Sequence, residues 1–279
     1  MLAVDYDEPG GPEVLKLKEI NIPDISKDEV LIKVKSAGVN RPDIIQREGN
    51  YPAPPGHSKT LGLEVSGIIE KVGTNVKKFL VGDKVAALVN GGGYAEFCKA
   101  NESLVFHIPK NITFNEAACI PECFFTAWSN IVMRGEIKKN QKILIHGGTS
   151  GVGIASIQIA KLFDSYIITT VGNKEKVSFC KKLGVDKTIN YKESNFFEEI
   201  KNSKISSVDL VLDFIGGDYI NKNINLLNND GRLVNIGFQN GSKAEINLMK
   251  IMLKRLTITG STLRIRDNLF KGKILNNLI

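Results

Sequence analysis

Cysteine is scarce in this chain, four in 279 residues, and that scarcity excludes a scaffold built on disulfides. Cys119 and Cys123 stand four apart in "ACIPEC", but three histidines and no second cysteine cluster leave zinc without a ligand set. These thiols are expected in the core, with no metal. Long apolar runs are missing too, since none approaches the roughly 18 residues a membrane span needs. Residues 1–6 lead straight into a strand-like segment with neither a charged leader nor a cleavage site, so the expected location is cytoplasmic. No block of like charge is interleaved with aromatics. The formal charge of +7 is carried mainly by scattered lysines, as in "KVSFCKKLG", which describes a solvated surface more than a nucleic-acid or membrane partner.

What is present falls into two halves with different patterns. Residues 1–122 read as strands and turns. "EVLIKVKSAGVN" alternates Val30, Ile32 and Val34 with Leu31, Lys33 and Lys35. "LEVSGIIEKVGTNV" and "GDKVAAL" follow as further strands joined by Gly/Asn turns. "YPAPPGHS" holds three of the nine prolines and predicts an irregular loop. From about residue 141 strands alternate with helices, the strands at 142–146, 166–171, 187–190, 208–213, 231–236 and 256–260. Six strands with helical crossovers predict an α/β, doubly wound parallel sheet. The expected division is 1–122 and 123–279.

The first strand of the second half ends in Gly147-Gly148-Thr149-Ser150-Gly151-Val152-Gly153. A helix N-terminus presents unpaired N–H groups and a partial positive charge, and small residues let a pyrophosphate approach them. Ser150 stands where the usual dinucleotide fingerprint has its middle glycine, and its hydroxyl can donate to a phosphate oxygen. NAD-binding sheets place an acid about 20 residues further on, where it accepts from the ribose 2′-OH. Here Gly172 and Asn173 occupy that place, followed by Lys174 and Lys176, with Tyr191 closing the next strand. Cationic and hydroxyl donors without a carboxylate suit a 2′-phosphate, and the expected cofactor is NADPH.

The segments "EPGGPEVLKLKEI", "SAGVNRPDIIQREGNYP", "GLEVSGIIEKVG", "GDKVAALVNGGGYAEF", "GGTSGVG" and "ITGSTLRIRDN" together resemble the zinc-independent medium-chain dehydrogenase/reductases, specifically the zeta-crystallin-like NADPH:quinone oxidoreductases. The resemblance is greatest to their tumour-suppressor-inducible branch. It implies a GroES-like, mostly-β N-terminal domain before a Rossmann domain. Zinc-dependent members carry a ligand cysteine where this chain has Asn40 and a ligand histidine where it has Leu63, so the resemblance implies no metal. It further implies Asn40 beside the nicotinamide, Tyr51 as a wall of the substrate pocket, and Ser150 on the nicotinamide-side phosphate. These three form the expected catalytic set. Thr126, Gly151, Val152, Gly153, Gly172, Asn173, Lys176, Tyr191, Phe214, Gly216, Gly237 and Phe238 join Asn40 and Ser150 as expected cofactor contacts.

The activity so implied is hydride transfer from NADPH to a quinone or another electrophilic carbonyl compound, by a homodimer. Reduction of a polarised C=C bond in an enone or enoyl thioester, and NADPH retention by a non-catalytic protein with an RNA or protein partner, stay open. The resemblance also implies a further C-terminal segment that returns to complete the first domain. Its absence here is expected to leave that domain open and its activity impaired.

Overall fold

The alternation in "EVLIKVKSA" becomes a nine-residue strand in the computed structural model, which describes residues 1–279. Before it come β1 (Leu2–Asp5) and β2 (Lys16–Glu19), an antiparallel pair. The strand itself is β3 (Glu29–Ala37), and helix α1 (Arg41–Arg47) follows. β4 (Glu64–Val72), β5 (Lys84–Leu88), β6 (Phe97–Asn101) and β7 (Val105–His107) complete a five-stranded antiparallel sheet in the order β6-β3-β4-β5-β7. Val30, Ile32, Val65, Ile69 and Val85 pack into one buried core. The proline-bearing segment 51–58 forms neither strand nor helix, because proline lacks the N–H that either ladder needs.

Two short helices, α2 (Phe114–Ala117) and α3 (Pro121–Trp128), lead out of this region, and α3 continues as a π-helical turn over Ser129–Arg134. Strict strand–helix alternation follows: β8 (Lys142–His146), α4 (Gly151–Lys161), β9 (Tyr166–Val171), α5 (Lys174–Lys182), β10 (Lys187–Asn190), α6 (Phe196–Lys201), β11 (Val208–Asp213), α7 (Tyr219–Leu226), β12 (Leu227–Asn235), α8 (Leu248–Lys254), β13 (Thr257–Gly260) and α9 (Asn268–Leu278). The six strands form one parallel sheet in the order β10-β9-β8-β11-β12-β13. Helices cover both faces of such a sheet, so the middles of its central strands are apolar. Ile143, Leu144, Ile145, Val211 and Leu212 are accordingly buried. Strand order reverses between β8 and β11, and loops leaving their carboxyl ends flank the crevice where ligands bind in sheets of this kind. Four of the six strands have the expected limits. β12 begins earlier, at Leu227, and its pairing with β11 shifts register between Val208 and Leu210.

The division differs from the expected one. Met1–Phe125 and Arg264–Ile279 form one unit, and Thr126–Leu263 the other. Residues 264–279, which the expected division placed in the second unit, belong to the first, where α9 packs on the Glu102–Leu104 turn. Two buried cations explain the return. Arg264 donates Nε and Nη2 to the Asn90 carbonyl at 3.1 and 2.7 Å. Lys271, 1% exposed, donates Nζ to Asn90 Oδ1 at 2.7 Å and to the Arg264 carbonyl at 2.9 Å. Buried charges persist only where acceptors meet them, and these acceptors belong to the first unit. No helix is long and apolar enough to cross a membrane.

Candidate functional site

In the second unit the chain leaves β8 through Gly147, at φ +62, where a side chain would be strained. Ser150 caps α4, its Oγ accepting the Gly153 N–H at 3.0 Å. A Cβ at Gly153 would stand 2.4 Å from the Gly147 carbonyl oxygen, so only glycine lets the helix approach the turn this closely. The first-turn N–H groups of Gly151 and Val152 have no partner within the helix. Ser150 spends an oxygen lone pair on the cap, and its O–H remains to donate. This cradle of small residues and outward N–H groups fits a pyrophosphate.

The end of β9 carries the specificity feature. Asn173 caps α5, its Oδ1 accepting the Lys176 N–H at 2.8 Å, which leaves the side-chain NH2 as a donor. Lys176 is exposed on the first turn of α5. Tyr191, 47% exposed, stands over Gly172, where an added Cβ would meet its hydroxyl oxygen at 2.7 Å. Lys174 faces Glu193 at 3.9 Å across solvent, a pair of little energetic weight.

Beyond β11 and β12 the remaining expected residues converge. A Cβ on Gly147 would meet the Phe214 ring at 2.7 Å, one on Gly237 would meet Phe214 Cβ at 3.1 Å, and one on Gly216 would meet Phe238 Cδ1 at 2.9 Å. Ser150, Gly151, Val152, Gly153, Gly172, Asn173, Lys176, Tyr191, Phe214, Gly216, Gly237 and Phe238 therefore share one carboxyl edge of the sheet. Thr126 lies on α3, where its carbonyl accepts from Asn130 Nδ2 at 2.8 Å.

Beneath that edge runs a buried polar chain that the sequence reading missed. His146, fully buried, places Nδ1 3.0 Å from Thr170 Oγ1 and Nε2 2.9 Å from Asn223 Oδ1. Asn223 donates Nδ2 to Asp213 Oδ2 at 3.2 Å. The other Asp213 oxygen accepts from the Ile215 and Gly216 N–H groups at 2.7 and 3.2 Å. Burial holds the imidazole below its ordinary pKa despite the nearby Asp213 charge, so it is neutral at pH 7. A polar residue closing an otherwise apolar strand, in "KILIHGG" and "IITTVG", is the signal that could have located it.

The first unit gathers its polar groups around Asn40. Asn40 precedes α1, and its backbone N–H donates to Asp43 Oδ2 at 2.9 Å. Its side-chain Nδ2 donates to Glu64 Oε1 at 2.7 Å, while Glu64 Oε2 accepts the Glu122 N–H at 2.9 Å. Asp43 also accepts from the Tyr94 hydroxyl at 2.9 Å and the Gly62 N–H at 3.1 Å. Burial pushes Glu64 up to about 7, and the charge of Asp43 adds to it. Burial, with the charges of Glu64 and Asp43, pushes Glu122 up to about 8. Tyr51 is half-buried, with the Arg264 guanidinium 5.4 Å from its ring centroid. Sequence reasoning named Asn40 and Tyr51 but not Asp43, Glu64, Tyr94, Glu122, Arg264 or Lys271. Zinc does not fit this donor set: Leu63 is apolar, Asn40 turns its amide N–H to Glu64, and no three His, Cys, Asp or Glu side chains are placed to hold a metal ion.

Known proteins resemble this chain in sequence and fold. The family model for the alcohol dehydrogenase GroES-like domain matches residues 26–110, and the model described as zinc-binding dehydrogenase matches residues 151–273. The quinone oxidoreductase of Homo sapiens is 34% identical over 266 residues, covering 94% of this chain and 80% of that protein. The crystal structure of Escherichia coli quinone oxidoreductase complexed with NADPH aligns with a TM-score of 0.86 at 29% identity, covering 100% of this chain and 86% of that one. CurK enoyl reductase aligns with a TM-score of 0.88 at 27% identity, covering 99% and 86%. With a GroES-like unit, a Rossmann unit and relatives of this similarity along nearly its whole length, the chain belongs to the medium-chain dehydrogenase/reductase family, among its quinone oxidoreductase relatives.

Proposed function

We propose that this chain is a zinc-independent, NADPH-dependent reductase of quinones. The observation that carries the reading is the end of β9, where Asn173 stands in place of an acid with its NH2 left to donate, Lys176 follows on the first turn of α5 and Tyr191 stands over Gly172. Ser150 and the N–H groups of Gly151 and Val152 hold the pyrophosphate. Asn173, Lys176 and Tyr191 hold the 2′-phosphate. Phe214, Gly216, Gly237 and Phe238 line the same edge, and Thr126 borders the cofactor. Bound NADPH supplies a hydride from its C4, which with one solvent proton turns a quinone into a hydroquinone. Asn40 and Tyr51 serve substrate and nicotinamide. Glu64 takes one amide hydrogen of Asn40 and so fixes which way the amide faces; the second amide hydrogen remains for the reactants. Because hydroquinone delocalises its developing charge, positioning supplies the catalysis that a metal supplies for an alkoxide. The setting is cytoplasmic.

Titration with NADPH and NADH, followed by NADPH oxidation with ortho- and para-quinones, tests this. NADPH binds more tightly, and Asn173→Asp reverses the preference by about tenfold or more, since Asp keeps the helix cap while placing a negative charge at the 2′-phosphate. Tighter NADH binding by the parent would overturn the cofactor assignment, and absence of quinone turnover would overturn the substrate assignment. The likeness to CurK enoyl reductase favours a second reading, reduction of a polarised C=C bond with the same hydride donor. A higher kcat/KM for an enone than for any quinone would select it.

The active form is a homodimer joined along β13. That strand is the open edge of the six-stranded sheet, with Ile258 37% exposed, and Leu248, Met249, Met252 and Leu253 of nearby α8 are each more than 60% exposed. Unpaired edges bearing apolar side chains invite pairing. Ile258→Lys shifts the protein from dimer to monomer in sedimentation experiments.

A further inference from the structure

The buried chain beneath the carboxyl edge has a direction fixed by its chemistry. Asp213 is acceptor-only when ionised, so Asn223 must present its NH2 there and its Oδ1 to His146. His146 Nε2 therefore carries the proton. A neutral imidazole then has Nδ1 as an acceptor, which takes the Thr170 hydroxyl proton, and Thr170 Oγ1 in turn accepts the Gly147 N–H at 3.3 Å. The groups facing the imidazole leave no slack: Phe196 and Tyr219 lie edge-on with centroids 5.0 and 5.1 Å away. Every link has one donor and one acceptor.

The chain starts at the glycine turn after β8 and ends at the Ile215 and Gly216 N–H groups after β11. These are the two loops that flank the point where strand order reverses. Thr170 at the end of β9 and Asn223 on α7 meet the two nitrogens of the His146 ring there. Asn235 at the end of β12 also donates to Asp213 Oδ2, at 3.1 Å, so four strand ends are tied to one line of hydrogen bonds.

We propose that Thr170, His146, Asn223 and Asp213 form a directional brace that holds the turn at 147–150 and the loop at 214–216 at a fixed spacing, making Thr170, His146 and Asn223 positioning residues for the dinucleotide. The function assigned to the brace rests on the NADPH reading above; its mechanical coupling does not. None of these side chains reaches the crevice surface. They act by keeping the Gly147 carbonyl, the α4 N-terminus and the Phe214 ring in place before any ligand arrives, which removes an ordering cost from binding.

Amide hydrogen exchange on the ligand-free protein, with Thr170→Val, Thr170→Ser and Asn223→Ser, tests the coupling. Valine matches threonine in shape but cannot donate to Nδ1. It speeds exchange at Gly147–Ser150 and also at Ile215 and Gly216, across the sheet, while Ile143–Ile145 in β8 stay protected. Serine keeps the hydroxyl and restores the parent pattern. Asn223→Ser, from the other end, speeds exchange at Gly147. In kinetics, Thr170→Val raises the KM for NADPH by about fivefold to tenfold, as the loss of one net hydrogen bond allows, with kcat unchanged within about twofold. Changes confined in each variant to the loop beside the substitution overturn the brace. If the parent fails to bind NADPH, the cofactor reading falls instead, and the exchange pattern still decides the coupling.

Discussion

Gly153→Ala weakens NADPH binding by about 100-fold or more while leaving the sheet intact. The added Cβ stands 2.4 Å from the Gly147 carbonyl oxygen and 3.0 Å from Gly148 Cα. Both are backbone atoms with no rotamer to turn aside, so α4 must withdraw from the turn and take the Gly151 and Val152 N–H groups with it. Losing two or three charge-assisted hydrogen bonds to phosphate amounts to about 3 kcal/mol, hence the factor. Ser150→Ala is the graded comparison. It removes the acceptor for the Gly153 N–H and costs about 1 kcal/mol of helix capping, without steric conflict. Fluorescence titration with NADPH ranks the parent tightest, Ser150→Ala next and Gly153→Ala last. Equal affinity for parent and Gly153→Ala would remove the phosphate from this turn. Circular dichroism of both variants separates lost binding from lost fold.

The second large effect is on stability and is read through pH. Glu122 is pushed up to about 8 by burial and by the charges of Glu64 and Asp43, against an ordinary 4.5. The folded state therefore holds a proton between pH 4.5 and 8 that the unfolded chain has released. Where the folded state binds more protons, stability falls as pH rises. The favourable state is fully present below pH 4.5 and is lost as pH climbs through 8. Glu122→Gln removes the ionisation. At pH 9 the variant is more stable than the parent by on the order of 2–4 kcal/mol, a rise of several degrees in thermal midpoint. At pH 4 the two are alike. Thermal melts from pH 4 to 9 check this; a variant less stable at pH 9 than at pH 4, relative to the parent, refutes it. The backbone N–H at 122, which donates to Glu64, is untouched by the change.

The parallel sheet was legible because short strands rich in Ile, Val and Leu alternate with helical stretches, a local signal. The glycine turn was legible for the same reason, and Asn173 could be read as a missing acid because it sits at a fixed distance from that turn. The tail could not be read this way. Its helix was evident from "RDNLFKGKILNNLI", but its destination depends on Lys271 meeting Asn90, a partner 181 residues away. Composition places lysine on the surface, and nothing near Lys271 in sequence says otherwise. Asp43, Tyr94, Glu64 and Glu122 were missed likewise, since each is ordinary in its own segment and acquires meaning only where β4, α1 and α3 meet. His146 lay in plain view at the end of β8, yet its partners Thr170 and Asn223 come from different turns of the sheet. Ser150 was read as a phosphate ligand, and its role as helix cap adds to that reading.

The return of residues 264–279 to the first unit makes the second unit an insertion within the first. On a ribosome the chain emerges from its N-terminus, so the second unit, contiguous from Thr126 to Leu263, can fold as soon as β13 clears the exit tunnel. The first unit is begun earlier and finished later. Until α9 is made, the carbonyl and amide oxygens of Asn90 lack the two cations that satisfy them. The domain begun first is thus the one that must wait, open, for residues translated after the whole of the second unit.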